Sequence, residues 1–98
     1  MSEKTSDSNI IYVGRKPPMN YVLGIVTAFS GSETNDVTVK ARGQAITTAV
    51  DAVEIARRRF VKEMKVDKIA IGTEEMPPRE GENNSRMIST IEITLKRS

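Results

Sequence analysis

Apolar and polar residues alternate in three stretches of the chain, and a fourth stretch is apolar throughout. Alternation gives a strand one face for a core and one face for solvent. The four stretches therefore predict strands at 10–13, 37–40, 66–73 and 87–95. In the third of these strands, Ile69 and Ile71 share a face and are expected to enter the core.

Two other stretches carry apolar residues three or four positions apart, the spacing of one face of an α-helix. The first predicted helix begins at Pro17 or Pro18, because proline suits a first helical turn, and it ends near Ser30. Its apolar stripe is Met19, Val22, Leu23, Val26 and Phe29. The second predicted helix has Gly43 as its expected N-cap. Its stripe is Ile46, Ala49, Val50, Val53, Ala56, Phe60 and Met64.

Polar stretches precede and separate these elements. Residues 1–9 are expected to form a disordered tail, residues 31–35 a loop and residues 74–85 a long, mobile hairpin tip. The predicted order is β-α-β-α-β-β in one domain, 10–98. Two helices on one face of a four-stranded mixed sheet make an α/β fold of the α+β two-layer sandwich type. The uncovered sheet face and the sheet edges favour self-association.

The composition excludes several kinds of chemistry. The 98 residues include no cysteine and no histidine, so disulfides, thiolates, the commonest general base and the commonest transition-metal ligand are all missing. No apolar run is long enough for a membrane span, so we expect a cytoplasmic protein with no membrane contact and no cofactor. The net charge is +2, but residues 10–72 carry ten basic against six acidic residues. This basic excess is compatible with a polyanionic partner.

The junction between the second strand and the second helix is a candidate site. Arg42 comes directly before Gly43. A glycine N-cap leaves the first amides of a helix uncovered by a side chain, and such a helix end suits a phosphate. A plain junction with an exposed arginine explains the same residues equally well.

Two groups on the second helix have structural explanations. The run Arg57–Arg59 has the look of a nucleic-acid patch, but successive helical residues point about 100° apart, so the three cannot form one stripe. Glu54 is instead expected to pair with Arg58, four residues later. Asp51 and Glu54 share a helix face and are conceivable metal ligands, although a solvated face is the simpler interpretation.

Four segments, in order, resemble the Alba family of small archaeal chromatin proteins. They are GRKPPMNYV from Gly14, VKARGQAI from Val39, AVDAVEIARRRF from Ala49 and SRMISTIEITL from Ser85. The resemblance covers nearly the whole chain after residue 9. It implies the β-α-β-α-β-β fold, a homodimer or a heterodimer with a paralogue, and sequence-independent binding of double-stranded DNA, and often of RNA. It also implies a chromosome-associated protein that coats and compacts DNA.

The resemblance assigns roles to individual residues. The basic residues expected to bind nucleic acid are Arg15, Lys16, Lys40, Arg42, Arg79 and Arg86. Phe60 is expected to contact neighbouring dimers on DNA, with ordinary core as the alternative. The family has a reversibly acetylated lysine where this chain has Arg15, which leaves Lys16 as the candidate for acetylation.

The hairpin departs from the family pattern. Glu74, Glu75, Glu80 and Glu82 accompany a single basic residue, Arg79, before Arg86. Fewer phosphate contacts imply weaker or more salt-sensitive binding. We expect a binding protein and no enzyme, with two alternatives open. A carboxylate-based metal nuclease would degrade its substrate only with a divalent metal. An RNA-binding subunit of an RNA-processing particle would prefer structured RNA to duplex DNA.

Overall fold

The computed structural model describes residues 9–30 and 35–97, and over these residues the order of elements is the predicted one. The elements are β1 (Ile10–Tyr12), α1 (Pro18–Ser30), β2 (Asp36–Arg42), α2 (Ala45–Ile55), β3 (Met64–Met76) and β4 (Arg86–Arg97). A π-helical turn, Ala56–Phe60, continues α2. The predicted tail, except for Asn9, and most of the predicted 31–35 loop lie outside the described residues.

The four strands form one mixed sheet in the order β1-β2-β4-β3. β1 runs parallel to β2, and the other two pairs are antiparallel. The β3–β4 hairpin is paired along nearly its whole length, from Met64 opposite Arg97 to Met76 opposite Arg86. β3 therefore forms one edge of the sheet, and β1 forms the other.

The core lies between the two helices and the sheet face that they cover. Its most deeply buried side chains come from both helices and the two central strands, and each is at most 3% exposed: Val22, Ile25, Phe29, Val37, Val39, Ala49, Ala52, Val53, Ile93 and Leu95. Both helices contact β2, and α1 also contacts β1. The α+β two-layer sandwich predicted from the sequence is confirmed.

The faces that the helices bury differ in part from the predicted stripes. Met19 and Leu23 on α1 are 46% and 61% exposed, whereas Ile25, absent from the predicted stripe, is fully buried. On α2, Val50 is exposed and Ala52 is buried. A helix packed closely against a second helix and a sheet favours small side chains at the contact, so the buried face of α2 follows its alanines.

The second helix also ends earlier than predicted. After Ile55 the helix widens into the π-turn, in which the amide of Val61 donates to the carbonyl of Ala56 at 2.8 Å. Met64, predicted to close the helical stripe, is instead the buried first residue of β3. A single apolar residue at a boundary fits both periods, so spacing alone could not assign it.

β3 is longer than predicted. The strand continues to Met76, and Glu74 and Glu75 pair with Ile88 and Met87 of β4. The hairpin tip is therefore 77–85, shorter than the predicted 74–85. The cross-strand ladder extends over glutamates that the sequence pattern assigned to the tip.

The apolar face of β3 does not enter the core. Ile69 and Ile71 are 58% and 82% exposed, which contradicts the prediction that they are core residues. They do lie on the helix side of the sheet, opposite Ile93 and Ile91. The helices pack over β1 and β2, however, and leave this edge strand uncovered. A bulge in the register after Val66 brings that residue to the same face.

Candidate nucleic-acid interface

An open concavity of about 1370 Å³ lies where the carboxyl ends of β1 and β2 meet the start of α2 and the β3–β4 hairpin. Four of the predicted basic residues line it: Arg15, Lys40, Arg42 and Arg79. Two carboxylates, Glu74 and Glu92, line it as well. The structure thus brings together cations from four separate segments, whereas Lys16 and Arg86 lie outside this lining.

The loop that carries Arg15 and Lys16 is fastened by a tyrosine that the sequence analysis did not single out. The hydroxyl of Tyr21, on α1, accepts hydrogen bonds from the backbone amides of Gly14 at 2.9 Å and of Lys16 at 3.1 Å. These two amides flank Arg15. Both charged side chains are exposed, and within 9–30 and 35–97 neither has an ion-pair partner. The loop therefore combines a fixed backbone with two available cations.

Lys40 and Arg42 project from the sheet face that the helices leave open, and each pairs with a carboxylate on that face. Lys40 Nζ lies 3.6 Å from Glu92 Oε2. Arg42 Nη1 donates to Glu74 Oε1 at 2.8 Å. All four side chains are between 33% and 55% exposed, and ion pairs of this kind contribute little to stability, about 0–1 kcal/mol. A phosphate can therefore compete for both cations.

The start of α2 is not capped by a side chain. Gly43 has a φ of +59°, in the left-handed region that favours glycine. Gln44 is the N-cap in place of the predicted Gly43, and its side chain makes no capping hydrogen bond. This uncapped, partly positive helix end lies in the lining of the concavity, directly after Arg42. An anion in the concavity is thus close to both.

The two hairpin arginines have different surroundings. Arg79 lies in the tip, where its backbone amide donates to the Glu82 carboxylate at 3.2 Å. Arg86 begins β4, and its Nε is buried with no hydrogen-bond partner among the described residues. An N–H group in this state costs free energy until it finds an acceptor.

The run Arg57–Arg59 is separate from the concavity. Glu54 Oε1 lies 2.9 Å from Arg57 Nη2 and 3.0 Å from Arg58 Nε, which confirms the predicted Glu54–Arg58 pair. The hydrogen bonds from Arg57 and then from Arg58 hold the pKa of Glu54 below its usual value. Phe60, at the end of the π-turn, is 51% exposed, so it is not an ordinary core residue.

Two negative observations concern the part of the chain that the structure covers. It contains no group of three or more His, Cys, Asp or Glu side chains placed to hold a metal ion, so Asp51 and Glu54 do not extend into such a cluster. It also contains no helix that is long and apolar enough to cross a membrane.

Fold and surface together define a small α+β protein whose cationic concavity adjoins a long two-stranded hairpin. The Alba family model matches residues 9–73, and the chain belongs to the Alba family. The resemblance seen in the four sequence segments is thereby confirmed.

Relatives match over almost the whole chain. The DNA/RNA-binding protein Alba of Picrophilus torridus is 47% identical over 92 residues, which cover 94% of this chain and 99% of that protein. The DNA/RNA-binding protein Alba of Methanocella arvoryzae is 48% identical over 91 residues, which cover 93% and 92%. The solved structure of Alba from Thermoplasma volcanium matches with a TM-score of 0.81 at 47% identity and covers 91% of this chain and 100% of that one.

Proposed function

We propose that this protein binds nucleic acid through the phosphate backbone, without reading the base sequence. The observation that carries the proposal is the convergence of Arg15, Lys40, Arg42 and Arg79 on one open concavity beside an uncapped helix end. Cations and helix N-termini both favour phosphate oxygens, and such contacts carry little direct sequence information. The names of two relatives, each a DNA/RNA-binding protein Alba, support the same function.

The polymer that we propose is double-stranded DNA, which the protein coats and compacts as a chromosomal component in the cytoplasm. Lys16 and Arg86 extend the cationic surface on either side of the concavity and act as further phosphate ligands. The role is binding, with no chemical step and no cofactor. RNA is the second candidate polymer, because the relatives' names give both nucleic acids.

The binding unit is a dimer. Val66, Ile69, Ile71 and Met87 are between 36% and 82% exposed, and they share the helix-side face of the β3–β4 hairpin. A contiguous exposed apolar patch of this kind is typical of an association surface. A second copy across the patch would bring two concavities into one particle. A paralogue with the same patch would form a heterodimer in the same way.

Phe60 is the proposed contact between neighbouring dimers on a long duplex, because it is half exposed and lies outside the concavity. Phe60→Ala should leave the melting temperature and the dimer unchanged, but should abolish cooperative coating in a titration of long DNA. A large fall in melting temperature would assign Phe60 to the core instead, since truncating a buried Phe costs about 3–5 kcal/mol.

A salt series of binding affinities tests the phosphate contacts. Two unrelated duplexes are titrated with the wild type, with Arg15→Gln and with Lys16→Gln, which mimics acetylation by removing the charge. Each variant should bind both duplexes more weakly, and its slope of log affinity against log salt should fall by about 0.9. Arg15→Lys should lose less than Arg15→Gln because it keeps the charge. Lys62→Gln, outside the concavity, is the control.

Three results would count against this assignment. Wild-type affinity and slope in both glutamine variants would remove the Arg15–Lys16 loop from the interface. A tenfold preference for one duplex would show that bases are read. Degradation of the duplex on addition of a divalent metal would favour a nuclease. Competition between duplex DNA and structured RNA in the same assay decides which polymer is preferred.

A further inference from the structure

One aromatic side chain in the concavity is not used by the phosphate contacts. The chain has four aromatic residues in total. Phe29 is buried in the core, Tyr21 holds the Gly14–Lys16 amides, and Phe60 lies outside the concavity. Tyr12 lines the concavity together with the cations, and it is 70% exposed.

The position of Tyr12 leaves its ring open to a ligand. It is the last residue of β1, which forms an edge of the sheet, and it is paired with Lys40 of β2. Because paired residues project to the same side, Tyr12 and Lys40 both lie on the face that the helices leave open. Arg15 follows within the same lining. A flat apolar ring is thus bordered by two cations.

We propose that Tyr12 is a stacking platform for an unpaired nucleobase, so that the concavity binds single-stranded DNA or RNA. The base stacks on the ring while the adjoining phosphates reach Arg15 and Lys40, the combination of aromatic and cationic groups that suits single strands. This inference rests on the proposed phosphate-binding function and adds the ligand class. Within a duplex, the bases are already stacked on one another, so a duplex gains nothing from Tyr12 along its length.

The test compares three oligonucleotides of equal length: single-stranded DNA, single-stranded RNA of the same sequence, and a blunt duplex longer than the binding site. Tyr12→Ala should weaken binding of both single strands by about tenfold, the effect of losing one base stack, and should change duplex affinity less than twofold. Tyr12→Phe, which keeps the ring, should retain single-strand affinity. Leu23→Ala removes an exposed apolar side chain from α1 and should alter nothing.

Tyrosine emission gives a readout that a merely structural role would not change. The chain has two tyrosines and no tryptophan. Stacking on Tyr12 should quench emission when a single strand is added to the wild type. The quenching should disappear in Tyr12→Phe, in which only Tyr21 emits, although that variant still binds.

The outcomes separate the two proposals. Equal losses for duplex and single strands in Tyr12→Ala, or undiminished single-strand binding, would overturn the stacking platform. A loss confined to RNA or to DNA would mean that the sugar is recognised, and would overturn it too. Duplex binding with no single-strand binding by the wild type would defeat this inference and leave the phosphate-binding function intact. Failure to bind any of the three polymers would refute the function itself.

Discussion

At the scale of single residues, Tyr21 connects the fold to the interface. Its ring packs against the core, and its hydroxyl accepts the two amides on either side of Arg15. A loop that is already ordered loses less conformational entropy when Arg15 and Lys16 bind phosphates, since ordering one residue costs about 1–2 kcal/mol. Tyr21 is therefore a positioning residue for the proposed interface.

Tyr21→Phe should weaken duplex binding several-fold and leave the melting temperature nearly unchanged, because water can replace the hydroxyl at exposed amides. Fluorescence anisotropy and thermal melting measure the two effects. Tyr12→Phe is a matched control, since it deletes the same hydroxyl from an exposed tyrosine with no assigned loop contact. If the two variants bind the duplex equally well, the Tyr21 hydrogen bonds do not position the loop.

Glu54 provides a pH-dependent test of the arginine pairs on α2. Its pKa is lower in the folded protein than its ordinary value of 4.5, first because of the hydrogen bond from Arg57 and then because of that from Arg58. The unfolded chain therefore takes up the proton at a higher pH than the folded protein does. The stabilisation is complete above about pH 4.5 and is lost as the pH falls through the lower, folded pKa.

Glu54→Gln should accordingly lower the melting temperature at pH 6 and reduce its dependence on pH between 6 and 3. The effect is small, because exposed helical pairs contribute about 0.2–0.5 kcal/mol each. Asp51→Asn removes an exposed carboxylate from the same helix and is the control. Identical melting profiles for wild type and Glu54→Gln would show that the two pairs do not stabilise the fold.

Some site residues could be predicted from sequence and others could not. Glycine before Arg15 and proline after Lys16 make that loop recognisable from neighbouring letters alone. The ion pair between Arg42 and Glu74 joins residues 32 positions apart, and nothing local to either residue signals it. Sequence reasoning therefore found the cations but not the carboxylates that partly neutralise them.

At the scale of elements, the β3–β4 hairpin shows what periodicity does and does not determine. Alternation correctly placed Ile69 and Ile71 on one face, because side chains alternate along any strand. It could not say whether a second layer covers that face. Coverage depends on where α1 and α2 pack, and they lie over the opposite half of the sheet. A two-residue period thus fixes orientation but not burial.

The hairpin also bears on affinity through Glu74. Its carboxylate occupies Arg42 at 2.8 Å, so an incoming phosphate must displace it and then tolerate its charge. Glu74→Gln should tighten duplex binding by about two- to fivefold, in keeping with an exposed pair worth up to ~1 kcal/mol. Glu80→Gln makes the same change of net charge in the tip, outside the lining of the concavity. Equal tightening by both variants would implicate net charge rather than the Arg42 pair.

At the scale of the whole molecule, the exposed apolar hairpin face and the cationic concavity act together if the protein is a dimer. One chain places four cations around its concavity, two of them already paired with carboxylates. Two chains joined rigidly would double the number of phosphate contacts. The second set would bind in an effectively intramolecular step, at a high effective concentration.

Ile71→Glu tests this arrangement, because Ile71 is the most exposed residue of the apolar patch and glutamate would bury a charge at the interface. The variant should be a monomer by light scattering at micromolar concentration, where the wild type is a dimer. Its salt slope for duplex binding should be about half that of the wild type, because each particle then neutralises half as many phosphates. Leu23→Glu places the same charge on α1, at a residue that is 61% exposed, and should remain a dimer. A dimeric Ile71→Glu would exclude this hairpin face as the interface, and a monomeric wild type would exclude the dimer while leaving the phosphate contacts of each concavity to be measured on their own.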